Sequence, residues 1–125
     1  MKKIDVIIIE DHIDTQVLLT QYFQANGVSC ICAGNLGNGL NLLKEILPSI
    51  LLVDILLPDK KGDSLIKQIK LDPLYNNTLV YLLTAIPYEE AMKIAKQYNV
   101  DGVISKPFNL EEIDHLIQQL KNRNS

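Results

Sequence analysis

The period of the hydrophobic pattern switches back and forth along the whole chain, and that alternation limits the folds open to it. Short apolar runs at residues 4–9, 28–33, 50–53, 79–83 and 102–105 read as strands. The first and third are almost unbroken β-branched and leucine runs. That is the pattern of strands buried on both faces, as in a parallel sheet. Between the runs, apolar residues recur at steps of three and four, the spacing of one helix face. Five strands, each followed by a helix, predict βαβ units with right-handed crossovers and a parallel sheet in an α/β fold.

The helices carry their own signals. Residues 14–26 place Leu18, Leu19, Tyr22 and Phe23 on one face, with Gly27 as the stop. Leu36, Leu40, Leu43 and Leu47 predict a second helix that Pro48 ends, and Gly37 and Gly39 weaken its first turn. A turn-rich loop, LLPDKKGD, leads into a third helix at 64–71. Pro87 suits the first position of a fourth helix, with Glu89 and Glu90 in its first turn and Ala91, Ile94, Ala95 and Tyr98 facing inward. Asn109 and Glu112 resemble a capping box that opens a last helix, reaching about residue 122, with Ile113, Leu116, Ile117 and Leu120 inward.

A chain of 125 residues suits one domain, and the alternation uses all of it, so the reading is a single domain over 1–125 with no output domain. A formal net charge of −3 without a basic cluster argues against direct nucleic-acid binding. No apolar run is long enough to span a bilayer, and the N-terminal run meets Glu10 and Asp11 too early for a signal peptide. The expected location is cytoplasmic. Cys30 and Cys32, one residue apart on a strand, then read as reduced packing residues rather than a disulfide or a metal pair.

In open parallel sheets the functional crevice lies beyond the carboxyl ends of the strands. Strand one ends in Glu10 and Asp11, strand three in Asp54, strand four in Thr84 and strand five in Lys106, followed by Pro107. If strands one and three are neighbours, three carboxylates meet at one edge. Such a group repels itself unless a cation shares the site, and its all-oxygen character suits Mg²⁺. Thr84 and Lys106 add a neutral donor and a point charge for a phosphoryl group. The constellation reads as Mg²⁺-assisted phosphoryl transfer onto a carboxylate. His12 reads as a solvated side chain beside the acids, His115 as exposed on the last helix, and the run Asp59, Lys60, Lys61 as a solvated loop that could help a partner dock.

The stretches IIIEDH (7–12), LLVDILLPDKKG (51–62), YLLTA (81–85) and ISKPF (104–108), in this order, resemble the receiver domain of response regulators in two-component signalling. The resemblance spans the chain. It implies a flavodoxin-like, doubly wound (βα)5 fold with strand order 2-1-3-4-5. It implies that Asp54 accepts a phosphoryl group from a histidine kinase or a histidine phosphotransfer protein. It further implies that Asp11 is the direct Mg²⁺ ligand together with Asp54, that Glu10 acts through water, and that Leu56 offers its backbone carbonyl. Thr84 resembles the switch hydroxyl, Lys106 the lysine that pairs with a phosphoryl oxygen, and the Lys106–Pro107 bond is expected to be cis. Such a module is a signalling phosphoprotein acting on a downstream protein or output domain. It catalyses only its own phosphorylation and dephosphorylation.

The sequence departs from the pattern at Val103, where receivers often carry an aromatic switch residue, so the expected output coupling is modest. Other uses of the fold fit less well. A pseudo-receiver, a binding platform independent of phosphate, would be marked by loss of Asp54, Asp11, Thr84 or Lys106, all of which are present. A haloacid-dehalogenase type phosphatase would want an aspartate at Leu56. A flavin mononucleotide binder would want a Gly/Ser/Thr-rich loop after strand one, where EDHID stands.

Overall fold

A computed structural model describes residues 1–59 and 62–124. Of the expected Asp59, Lys60, Lys61 run, the two lysines lie outside the described residues. In chain order the elements are β1 (Lys2–Ile9), α1 (Ile13–Ala25), β2 (Cys30–Ala33), α2 (Leu36–Glu45), β3 (Ile46–Val53), α3 (Asp63–Leu71), β4 (Leu79–Thr84), α4 (Tyr88–Tyr98), β5 (Gly102–Ser105) and α5 (Leu110–Asn124), with a short 3₁₀ turn at Pro73–Tyr75. The strands form one parallel sheet in the order β2-β1-β3-β4-β5. The parallel α/β sheet is the one read from the alternating pattern, and the doubly wound order is the one the receiver resemblance implies.

Strand alternation feeds two cores. Ile7, Ile9, Leu51, Val53, Val80 and Leu82 face α2, α3 and α4, whose Leu36, Leu43, Leu65, Ile66, Ile69 and Ala95 cover them. Val6, Ile8, Ile50, Leu52 and Leu83 face α1 and α5 and meet Leu19, Phe23, Ile113, Leu116, Ile117 and Leu120. All four apolar residues predicted for α5 are therefore buried. On α1 the expected face was too wide. Leu19 and Phe23 are buried, but Leu18 is exposed and Tyr22 half-buried. Tyr22 donates its hydroxyl to Asp114, tying α1 to α5.

The end of α2 also differs from the expectation. The helix stops at Glu45, and Leu47 and Pro48 belong to β3. Pro48 is tolerated there because β3 starts earlier than β4. Its register partner is Ile4 of β1, whereas pairing with β4 begins only at Ile50. The proline thus sits on a local sheet edge, where a missing N–H breaks no ladder bond. Its carbonyl accepts the hydroxyl of buried Thr78 at 2.8 Å. Gly27 (φ 74°) ends α1 as expected, and Asn99 (φ 55°) does the same for α4, both in the left-handed region that glycine and asparagine adopt most readily.

Cys30 and Cys32 are half-buried free thiols on one face of β2, pushed up from the usual thiol pKa by burial. Thr20 lies against both, with its hydroxyl 3.3 Å from the Cys32 sulfur. No helix of the described residues is long and apolar enough to cross a membrane.

Candidate functional site

The chain reverses its winding direction between β1 and β3, so the crevice opens where those two strands end. Ladder bonds carry the strands to that edge in register. The Asp54 amide donates to the Ile9 carbonyl at 2.9 Å, and the Glu10 amide to the Ala33 carbonyl at 2.9 Å. At the far end of β4 and β5, the Lys106 amide donates to the Thr84 carbonyl at 2.8 Å. The peptide bond between Lys106 and Pro107 is cis.

The side chains converge from there. Glu10, Asp54 and Thr84 are buried, with 0%, 3% and 0% of their surface exposed. Lys106 Nζ donates to Asp54 Oδ2 at 2.8 Å and also to Glu10 Oε1. The other Asp54 oxygen accepts the Leu56 amide at 2.8 Å, and Glu10 Oε2 accepts the Asp11 amide at 3.0 Å. Thr84 Oγ1 accepts the Ile86 amide at 3.2 Å. Leu56 leaves its side chain 52% exposed at the rim.

Burying two acids near one another has a visible cost. Burial pushes the Glu10 carboxyl above the ordinary glutamate range. Lys106 opposes that and Asp54 adds to it. Burial alone would lower Lys106, but its bonds to Asp54 and Glu10 outweigh it and hold the ammonium above the ordinary lysine value. Lys106 is thus the counter-charge of the buried pair.

Asp11 stands apart. Its Oδ1 is buried without a hydrogen-bond partner, although His12 Nδ1 lies 3.3 Å away. Ligand atoms of Glu10, Asp11, His12 and Asp54 all lie within 4.8 Å of one another. An unpartnered carboxylate oxygen in a carboxylate-rich pocket fits a hard cation such as Mg²⁺. His12 caps α1 without a side-chain bond and is 68% exposed, the solvated placement expected of it.

The structure brings Glu10, Asp11, Asp54, Leu56 and Lys106 together and places Thr84 at the adjacent strand end. Val103 lies away from this edge, half-buried on β5 against the α2–α4 core. Two neighbours were missed by sequence reasoning. Gln16, one turn into α1, donates to the Glu10 carbonyl. Asp59, read as solvated, reaches the start of α2.

The family model of the response regulator receiver domain matches residues 6–118, and the chain belongs to that family. It is 27% identical over 118 residues to the phosphate regulon transcriptional regulatory protein PhoB of Escherichia coli, covering 94% of this chain and 52% of PhoB. It is 28% identical over 119 residues to a 14.6 kDa protein from the sodA1 3′ region of Leptolyngbya boryana, covering 95% of this chain and 91% of that one. The chain thus spans about half of one curated relative and nearly all of the other. Among solved structures, the chemotaxis response regulator CheY4 of Vibrio cholerae superposes with a TM-score of 0.83 at 22% identity, covering 96% of this chain and 98% of that one. Receiver domains are signalling domains of two-component systems rather than enzymes in the usual sense, and the family works with histidine kinases and output domains.

Proposed function

We propose that this receiver takes a phosphoryl group on Asp54, from a histidine kinase or a histidine phosphotransfer protein, in a Mg²⁺-dependent reaction. One observation carries the reading. A buried aspartate at the switch point of the sheet has one oxygen held by a backbone N–H and the other by Lys106, beside an Asp11 oxygen with no partner.

An Asp54 oxygen attacks the phosphorus of a phosphohistidine. The P–O bond forms as the P–N bond breaks, and the electron pair returns to the leaving imidazole. The protein contributes position and charge rather than covalent help. The Leu56 amide fixes the carboxylate, and Lys106 offsets its charge and turns to a phosphoryl oxygen once one is present. Thr84 supplies a hydroxyl to another phosphoryl oxygen. Asp11, Asp54 and the Leu56 carbonyl, with Glu10 acting through water, would hold a Mg²⁺ ion that offsets the charge of the phosphoryl oxygens.

Intact mass after incubation with acetyl phosphate and Mg²⁺ tests this. The wild type gains one phosphoryl group and Asp54→Asn gains none. Undiminished labelling of Asp54→Asn would refute the assignment. An unlabelled wild type would favour a binding platform that works without phosphate.

A further inference from the structure

The loop that follows Asp54 is latched to helix α2 by one side chain. Asp59 Oδ1 accepts the Leu36 amide at 2.9 Å, and Asp59 Oδ2 accepts the Gly37 amide at 3.0 Å. The next amide, of Asn38, goes to the helix's own cap, Asn35 Oδ1, at 2.8 Å. The first three free N–H groups of α2 are therefore all satisfied, two of them by a residue 22 and 23 positions away. A carboxylate at this end of a helix is also favoured by the helix dipole.

What this latch holds is the acceptor loop. Upstream of Asp59, Ile55 and Leu57 are buried in the core and exposed Leu56 lies between them. Leu56 supplies the amide on Asp54 Oδ1. Farther on, the Gly62 amide returns to the Ile55 carbonyl at 2.8 Å. The main chain around Leu56 is thus pinned by buried side chains and by the return at Gly62, with the Asp59 latch between them.

We infer that Asp59 is a positioning residue for the phosphoacceptor site: by clamping the 55–59 loop to the N-terminus of α2, it fixes the Leu56 main chain against Asp54. The inference rests on the proposed phosphoacceptor role of Asp54 for its consequence, but the latch can be read without it. A partner that only orients the groups of a metal site commonly alters affinity or activity by about 10–100-fold when removed.

The test compares Asp59→Ala, Asp59→Asn and Asn35→Ala. Asn35→Ala removes a cap of α2 without touching the loop, so it separates helix stability from loop position. In metal-free protein, Asp59→Ala speeds amide hydrogen exchange at Leu36, Gly37 and Leu56, whereas Asn35→Ala leaves Leu56 unchanged. In titrations followed by amide shifts, Asp59→Ala weakens Mg²⁺ binding, and it slows labelling by acetyl phosphate, each by about tenfold. Asp59→Asn keeps one acceptor oxygen and recovers part of both losses. Wild-type exchange at Leu56 in Asp59→Ala would overturn the inference, as would equal slowing of labelling by Asn35→Ala. If the wild type does not label at all, the phosphoacceptor reading falls, while exchange at Leu36, Gly37 and Leu56 still decides the latch.

Discussion

Glu10 and Asp11 are adjacent in the chain and chemically alike, yet the fold treats them differently. Glu10 is sealed in, with both oxygens engaged by Lys106 and the Asp11 amide, whereas Asp11 keeps an oxygen free. Asp11→Ala is therefore expected to abolish both Mg²⁺ binding and phosphorylation, and Glu10→Gln to weaken both without abolishing either. Titration by amide shifts and intact mass check the pair, and wild-type labelling of Asp11→Ala would contradict the scheme. Glu10 also sets a pH dependence. Its folded-state pKa is raised, so the folded protein holds this proton more tightly than the unfolded chain does. Its contribution is complete below the ordinary glutamate range and is lost as pH rises through the raised value. In metal-free buffer, Glu10→Gln flattens that decline. Denaturation at several pH values measures it. These residues were legible because each stands directly after an apolar run, where a parallel sheet must put them. Gln16 and Asp59 were not, because their bonds reach backbone groups of other segments and leave no local pattern.

Among the elements, α2 and the loop before α3 show how far spacing can mislead. The leucines at 36, 40, 43 and 47 continue a helical period past the real end of α2, and Pro48 looked like a helix stop. The chain instead turns to extended backbone at Ile46, because β1 offers partners back to Lys2. A pairing partner 44 residues away is invisible to local period. The glycines of α2 looked like weak points, yet both are used. The Gly37 amide bonds Asp59, and at Gly39 a Cβ would press into the Ile9 side chain. Gly62 is tighter still. Its φ of −62° is ordinary, but a Cβ there would collide with the Asp54 backbone oxygen, which has no freedom to retreat. Gly62→Ala should thus destabilise the fold by roughly 1–3 kcal/mol and slow labelling, since relief of the clash displaces Asp54. Urea denaturation with acetyl phosphate kinetics tests this, and wild-type values for both would refute it.

Across the whole molecule, the site sits at one edge of a sheet whose last strand is short and marginal, and Val103 on that strand is β-branched and half-buried. A valine has few rotamers and cannot sweep the volume of an aromatic ring. With Thr84 as the remaining moving part, beryllofluoride and Mg²⁺ should change the affinity of an output partner by no more than about fivefold, the low end of typical coupling. A change on the order of a hundredfold would show that Val103 does not limit the switch. The parallel α/β layering followed from alternation and the strand order from the receiver resemblance, whereas the strength of this coupling depends on motion, which a pattern of apolar residues does not record. The Lys106–Glu10 pair joins positions 96 residues apart. During synthesis, a nascent chain that has emerged only through β4 carries its acids without their counter-charge. Lys106 follows β5, the last strand of the sheet, so the buried acids meet their counter-charge only once all five strands have been made.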